Sequence, residues 1–476
     1  MFRHRHRLHF LLRSPVDQFF RGAPAVSVPQ WSSTKNGIAS RRLCSVAPTC
    51  QGTPTTTIKD IALHHPRIAK LVLKKGKTQL FRDGSPMVYS GAVDCVIGKP
   101  PQTGDAVLVT DRARQPFAWG IYNSVSMFCV RIMQMEDEAV RDPSCVLDME
   151  RIIQSRVAGA VELRKQLDLP SKDTNVYRLV NSEGDRLSGL IADVLGDQIV
   201  VASSASWVEK YRHTIEGVLS GSTGLESITW RPSLEILKEE GLELDTEDPS
   251  KPSTELAVAV DEIEVVENGI RYKASLSGQK TGFYADQRDS RLVLRTLCRN
   301  KTVLDLCCYS GGFSLNAAVG GASHVTGVDS SGPALELATA NAALNQLDPS
   351  SCTFVKADIT PFLKEAVAGG RSWDVVVLDP PKLAPNKKAL QRALSRYRTL
   401  NSLAMQVTRP GGLLMTCSCS GAVTQTGSFV SVLKDASAAV GRRLIQLRYA
   451  GAAPDHTLDM AYLEGAYLTN VLLRVL

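Results

Sequence analysis

The stretch that decides the fold is Val303-Leu304-Asp305-Leu306-Cys307-Cys308-Tyr309-Ser310-Gly311-Gly312-Phe313-Ser314. Its first four residues are almost wholly apolar, which is typical of a short strand buried in a parallel sheet. The adjacent glycines let the backbone approach a ligand closely, just where a predicted helix over 315–319 begins. The stretch therefore predicts a strand, a ligand-binding turn and a helix.

Three more predicted strands follow, and each is followed by an acidic residue. The strands cover 324–328, 354–357 and 373–378, and the acids are Asp329, Asp358 and Asp379, the last within Asp379-Pro380-Pro381-Lys382. The first acid can accept hydrogen bonds from both hydroxyls of a ribose, and the second lies where an adenine amino group would sit. Because ligands collect at the carboxyl ends of parallel strands, we expect these acids to share one site.

The glycine turn differs from two other nucleotide-binding patterns. It is not Gly-x-Gly-x-x-Gly, because position 307 is cysteine and the glycines adjoin at 311 and 312. The chain also lacks the Gly-Lys-Ser/Thr of a phosphate-binding loop. The turn therefore favours neither a dinucleotide site nor an NTPase.

Composition sets broad limits on the class of protein. The 476 residues suggest about three domains, with 43% hydrophobic and 22% charged residues and a formal net charge of +7 that permits nucleic-acid binding. No apolar run approaches the ~20 residues that span a bilayer. The eleven cysteines lack the spacing of a zinc site or of a disulfide scaffold, so we expect no metal and a reducing compartment.

Residues 1–55 differ from the rest of the chain. Seven arginines and a single acid, Asp17, lie in the first fifty residues. This composition is typical of an organelle-targeting presequence, mitochondrial rather than plastid, although a basic tail without a targeting role would have the same composition.

Three domains are predicted after this segment. Short β-like runs over 68–140 indicate a β-barrel-like module, and alternating strand and helix signals over 160–275, including a helix over 207–219, indicate a central α+β domain. The catalytic candidate at 276–476 has the strand–helix alternation of a Rossmann-like α/β fold.

The order of these motifs resembles class I S-adenosylmethionine methyltransferases. More narrowly, the chain is similar to the bacterial-type 23S ribosomal RNA 5-cytosine methyltransferases, which have a PUA domain, a central domain and a catalytic domain. The resembling stretches are 85–91, 177–185, 187–190, 279–288, 305–312, 379–382, 416–420, 454–456 and 464–468. Those around Lys280 to Arg288 and Cys417 to Ser420 are specific to the family.

This resemblance implies a cofactor, S-adenosyl-L-methionine, and a ribosomal RNA partner that the PUA domain helps to bind. The implied cofactor-binding residues are Asp305, Tyr309, Ser310, Gly311, Gly312, Phe313, Asp329, Asp358, Asp379 and Gln287. It also places Lys280, Gln287 and Arg288 near cofactor and RNA, although the exposed start of a helix would account for these three residues as well.

The implied chemistry needs a cysteine. Carbon 5 of cytosine becomes nucleophilic only when a thiolate adds to carbon 6, and the resemblance gives Asp379 the task of favouring protonation at N3. We favour Cys419 as the nucleophile because it stands further beyond the strand, while Cys417 remains the alternative. Lys382 replaces a second cysteine found in one branch of these enzymes, which favours a one-cysteine mechanism.

Two other functions remain open on sequence alone. Related catalytic domains methylate guanine nitrogens, which needs no thiol. A non-catalytic RNA-binding assembly factor would also retain the fold. The sequence leaves the oligomeric state open.

Overall fold

The computed structural model describes residues 57–65, 67–243, 262–276, 281–384 and 387–476. The segment 1–55, for which a presequence was predicted, lies outside these ranges, as does Lys280. Within the described ranges, no helix is both long and apolar enough to cross a bilayer.

The N-terminal part is built around one six-stranded sheet. Its elements are α1 (Ile58–His64), β1 (Lys70–Leu73), α2 (Thr78–Arg82), β2 (Met87–Val88), β3 (Val93–Ile97), β4 (Ala106–Thr110), β5 (Pro116–Tyr122) and β6 (Val130–Met135). The strand order is β2-β6-β5-β4-β1-β3, with β1 parallel to β4 and the other pairs antiparallel. Leu71, Val107 and Val130 lie in its core.

The central part contains a four-stranded sheet. Its elements are α3 (Glu136–Arg141), α4 (Met149–Gln166), β7 (Val176–Asn181), β8 (Leu190–Leu195), β9 (Gln198–Ser203), α5 (Ser206–Lys210), α6 (Arg212–Thr223), β10 (Ser227–Pro232) and α7 (Leu234–Glu239). The strand order is β10-β9-β8-β7. The single helix predicted over 207–219 is wrong: the chain forms two helices, because Tyr211 has φ −104° and ψ 21° and breaks the run between them.

A β-hairpin connects the central and catalytic parts. Strands β11 (Glu262–Glu267) and β12 (Ile270–Ser275) pair antiparallel. The backbone N–H of Lys273 donates to Asn341 of the catalytic part, while that of Val266 donates to Asn175 of the central part. The hairpin therefore packs against both neighbours.

The catalytic part has a seven-stranded sheet with helices between its parallel strands. Its elements are α8 (Arg288–Arg295), β13 (Thr302–Leu306), α9 (Gly312–Val319), β14 (His324–Asp329), α10 (Gly332–Leu344), β15 (Cys352–Lys356), α11 (Ile359–Ala368), β16 (Trp373–Leu378), α12 (Leu390–Val407), β17 (Thr408–Ser418), α13 (Gly421–Gln425), α14 (Ser428–Ala439), β18 (Leu444–Ala450) and β19 (Thr469–Val475).

The order of this sheet determines where a ligand can bind. It runs β15-β14-β13-β16-β17-β19-β18, with β13 to β17 parallel and β19 antiparallel to both of its neighbours. The chain winds outward from β13 through β14 and β15, then returns to place β16 on the other side. Such a reversal opens a crevice at the carboxyl ends of β13 and β16.

Candidate active site

A cavity of about 730 Å³ lies at the carboxyl ends of these strands. Most of the residues predicted to bind cofactor or to act in catalysis line it: Gln287, Tyr309, Ser310, Gly312, Phe313, Asp329, Asp358, Asp379 and Cys419. Asp305, Gly311 and Cys417 do not line it. The geometry therefore gathers nine of the twelve predicted side chains or glycines around one space.

The turn after β13 is held in shape by Gly311. Its φ is +84°, and a Cβ there would lie 2.5 Å from Leu315 Cδ1, so only glycine fits. Tyr309 donates its backbone N–H to Asp329 Oδ2 at 3.0 Å, which joins the turn to the end of β14. Gly311 thus acts on the shape of the cavity without lining it.

Two acids face the cavity from the ends of β14 and β15. Asp329 is half-buried, and each of its oxygens accepts one backbone N–H, from Tyr309 and Ser331. An ionised carboxylate has about four acceptor positions, so Asp329 retains capacity for the hydroxyls of a ribose. Asp358 is exposed and caps α11 by accepting the N–H of Thr360 at 2.7 Å.

Asp305 lies beneath the cavity, in the sheet. It is fully buried and accepts a hydrogen bond from Ser314 Oγ at 2.7 Å. Burial raises the pKa of this carboxyl to about 7, and the charges of Asp379 and Asp329 add to the shift. A role in direct cofactor contact does not match this position, because the side chain has no exposed surface.

Asp379 is tied to a chain of polar side chains. Gln287 Nε2 donates to Asp379 Oδ2 at 3.2 Å, and Gln287 Oε1 accepts from Asn470 Nδ2 at 3.3 Å. The same Asn470 amide lies 3.1 Å from Cys417 Sγ. This arrangement fixes the orientation of the Gln287 amide, so that its N–H₂ group faces Asp379.

The two cysteines near the end of β17 occupy different environments. Cys417 lies in the strand, is fully buried, and has a thiol pKa that burial raises well above its usual range. Cys419 follows the end of the strand, lines the cavity and is half-buried, with Sγ 3.6 Å from the carbonyl oxygen of Pro380. Only Cys419 of the two can meet a ligand in the cavity. Burial also raises the thiol pKa of Cys307 and Cys308.

Several residues that line the cavity were not predicted from the sequence. Tyr467 donates its hydroxyl to Asp286 Oδ2 at 2.7 Å, and the rings of Tyr284 and Tyr309 meet edge to face, 5.2 Å apart. Tyr284 and Asp286 belong to the resembling stretch 279–288, and Tyr467 to 464–468. The resemblance of those two stretches to the family was the sequence signal that could have identified these residues. Tyr467 also lines a second cavity of about 490 Å³.

The cavity suits a cofactor with a sugar, a charged chain and an apolar base. Asp329 offers acceptors for hydroxyls, the N-terminus of α9 offers backbone donors, and Phe313 and Ile359 offer apolar surface. A Cβ on Gly312 would lie 2.9 Å from Arg291 Nη1, so a larger residue there would displace the buried Arg291 side chain.

Comparison with known proteins decides the family. Residues 245–446 match the model of an S-adenosylmethionine-dependent methyltransferase, and residues 71–134 match that of a PUA-like domain. The "Ribosomal RNA large subunit methyltransferase I" of Pseudoalteromonas translucida is 33% identical over 409 residues, covering 85% of this chain and 98% of that protein. The protein of the same name from Escherichia coli O9:H4 is 35% identical over 409 residues, covering 86% and 99%.

The chain belongs to this family of ribosomal RNA large-subunit methyltransferases. S-adenosylmethionine is accordingly its cofactor, as predicted. The predicted fold is also confirmed: a Rossmann-like methyltransferase domain with a PUA-like domain before it.

Solved structures agree with this fold. A methyltransferase crystallised with SAH has a TM-score of 0.69 at 21% identity, covering 85% of this chain and 99% of that one. A Streptococcus mutans protein described as a SAM-dependent methyltransferase has a TM-score of 0.68 at 19% identity, with the same coverage.

The predicted mitochondrial location, with a plastid as its alternative, is wrong. The relatives that show the family are bacterial proteins, and bacteria have neither organelle. An arginine-rich composition alone was too weak a signal, because basic tails serve other purposes.

Proposed function

We propose that this protein methylates carbon 5 of a cytosine in large-subunit ribosomal RNA, with Cys419 as the nucleophile. The observation that carries the proposal is that Cys419 and Asp379, which come from the ends of neighbouring strands, line the same cavity; Cys307 and Cys308 line it as well, but they belong to the turn that would hold the cofactor. The names of the relatives, which specify large-subunit ribosomal RNA, support this substrate class.

The chemistry follows from the electronic structure of cytosine. Cys419 Sγ bonds to carbon 6, and the electron pair of the 5,6 double bond makes carbon 5 nucleophilic. Bound S-adenosylmethionine supplies the methyl group that carbon 5 takes. A base then takes the carbon 5 proton, the electron pair of that C–H bond restores the 5,6 double bond, and the carbon–sulfur bond breaks with its electrons going to the Cys419 thiolate.

Asp379 assists this addition in the proposal. A carboxyl group that is hydrogen-bonded to N3 of cytosine favours protonation of N3. The protonated ring stabilises the electron density that moves away from carbon 6 when the thiolate adds there. Gln287 is the positioning residue, because its amide donates to Asp379 Oδ2 and holds the carboxylate toward the cavity.

The proposal assigns three domains: a PUA-like RNA-binding domain at 68–140, a central domain at 160–275 and a methyltransferase domain at 276–476. Lys74, Lys75 and Lys77 lie exposed at the end of β1 and before α2, where they can meet phosphates. Such contacts carry affinity without sequence information, so base selection belongs to the catalytic cavity.

The test uses the purified full-length chain, S-adenosylmethionine and a transcript of large-subunit ribosomal RNA, followed by bisulfite sequencing. We expect one cytosine to become protected by the wild type and to stay unprotected with Cys419→Ala or Asp379→Asn. Binding of SAH to each variant, measured by calorimetry, controls for folding. Methyl transfer to RNA with every cytosine still converted would overturn the cytosine proposal and favour a guanine nitrogen.

A further inference from the structure

One stretch of the chain beside the cavity contains basic residues but no acidic ones. No Asp or Glu occurs between Asp379 and Asp435, while the same stretch contains eight Lys and Arg residues. Helix α12 begins within this stretch and has no acidic residue in its first turn. Cations near the N-terminus of a helix face the positive end of its dipole, so this arrangement works against helix stability.

Two of these cations line the cavity, and a third lies beside one of them on α12. Lys382 and Arg396 line the cavity, and Arg392 lies one turn before Arg396 on the same face of α12. All three side chains are exposed. Among the residues that the structure describes, no carboxylate pairs with any of them.

Three other arginines of the catalytic part are paired with carboxylates. Arg288 pairs with Asp455 at 2.9 Å, Arg291 with Glu267 at 2.8 Å and Arg409 with Asp374 at 2.8 Å. The three cations beside the cavity are therefore not explained by internal ion pairing. A feature that works against local stability without a visible structural gain points to a ligand.

We propose that Lys382, Arg392 and Arg396 bind the phosphates of the RNA strand that flanks the target nucleotide. The proposal rests on the proposed function, which makes RNA the substrate. Guanidinium groups suit this task because they can donate two parallel hydrogen bonds to one phosphate. Arg392 and Arg396, one turn apart, offer two such groups in a row. The catalytic domain thus holds the strand itself, in addition to the PUA-like domain.

The test compares Arg392→Gln, Arg396→Gln and their double variant with Arg398→Gln. Arg398 is an exposed arginine of the same helix that does not line the cavity, and its position two residues after Arg396 puts it on a different face from Arg392 and Arg396, so it is a matched control. Two quantities are measured on full-length protein: the KM for a large-subunit ribosomal RNA transcript, and the salt dependence of the Kd for a labelled single-stranded RNA. Calorimetry with SAH reports on the cofactor site.

We expect Arg392→Gln and Arg396→Gln each to raise the RNA KM roughly 5- to 10-fold, because each removes a charge-assisted contact with a phosphate, and to leave SAH affinity within about twofold of wild type. The slope of log Kd against log salt should fall by about 0.7 for each phosphate that the variant no longer binds. The double Lys variant, R392K with R396K, should keep the slope because it keeps both charges.

Two results would overturn the inference. One is a KM and salt slope for the double Gln variant equal to those of Arg398→Gln, while the wild type still binds and methylates RNA. The other is a loss of SAH affinity in place of RNA affinity, which would make Arg396 a cofactor residue. A wild type that neither binds nor methylates RNA would instead reject the proposed function, and this inference with it.

Discussion

Gln287 Nε2 lies 3.2 Å from Asp379 Oδ2 and donates a hydrogen bond to it at the edge of the cofactor cavity. Gln287 precedes α8, whereas Asp379 follows β16, so the contact joins two segments far apart in sequence. Because Asn470 donates to Oε1 of the same amide, the N–H₂ group of Gln287 faces the Asp379 carboxylate.

This contact predicts a shifted pH profile for Gln287→Glu. The variant can still accept from Asn470, but it places a second carboxylate next to Asp379, and like charges raise the pKa of the pair. We expect the limb of the kcat/KM profile that Asp379 contributes to move to higher pH by about one unit or more. Steady-state methylation rates between pH 5 and 9 measure it. Profiles that superimpose after scaling would contradict a role for Gln287 in positioning Asp379.

The two cysteines after β17 should differ in reactivity. Cys419 faces the cavity, whereas Cys417 is fully buried with a raised thiol pKa, and alkylation needs an accessible thiolate. We expect iodoacetamide to modify Cys419 at least tenfold faster than Cys417, by peptide mass spectrometry, and SAH to slow only the former. Exposed Cys95 is the control, with a rate independent of SAH. Equal rates for Cys417 and Cys419 would contradict the assigned environments.

The raised pKa of Asp305 predicts that the free energy of unfolding depends on pH. Its folded-state pKa of about 7 lies above the ordinary value of 3.8, so the folded protein binds the extra proton between these values. Stability is therefore lost as pH rises from about 4 to 7. Asp305→Asn removes this loss, and its stability relative to wild type should be greater at pH 8 than at pH 5, on the order of a few kcal/mol. Urea unfolding of the cofactor-free proteins at both pH values measures it, and a pH-independent difference would reject the assignment.

The buried ion pair of Asp455 predicts a large loss of stability when this side chain is replaced by alanine. It is fully buried, and both its oxygens accept from the Arg288 guanidinium at 2.9 Å. Burial alone would raise the pKa of Asp455, but its hydrogen bonds and the charges of His456 and Arg288 hold it well below its usual range. Asp455→Ala removes both hydrogen bonds between the buried Arg288 and a carboxylate and leaves only the longer contact with Asp289 at 3.8 Å, which costs roughly 3–5 kcal/mol.

Urea unfolding again provides the measurement for Asp455. Asp435→Ala, on an exposed position of α14, should change stability by no more than about 0.5 kcal/mol. A similar small effect for Asp455→Ala would show that the buried pair contributes little.

Much of the catalytic fold could be predicted because buried parallel strands leave a simple signal. The strand before Asp379 ends in a short apolar run, Val375 to Leu378, and an acid after such a run falls at the edge where ligands bind. The residues of the glycine turn could be predicted for the same reason.

The remaining parts of the site depend on contacts between distant segments. Tyr467 reaches the cavity from the long connection between β18 and β19, which packs on the central domain through Thr457 and Asp185. No local sequence pattern indicates that a residue of this connection reaches the cavity. The burial of Asp305 is hidden too, because a strand's alternation does not tell whether its last acid points into the sheet or out of it.

The most direct test of Cys419 as the nucleophile is covalent trapping with RNA that contains 5-fluorocytidine. Fluorine at carbon 5 cannot leave as a proton does, so an enzyme bonded to carbon 6 stays bonded after methyl transfer. We predict a band stable to denaturing electrophoresis when wild type or Cys417→Ala is incubated with this RNA and S-adenosylmethionine, and no such band with Cys419→Ala. Trapping by Cys419→Ala, or its absence with a wild type that methylates ordinary RNA, would contradict Cys419 as the nucleophile.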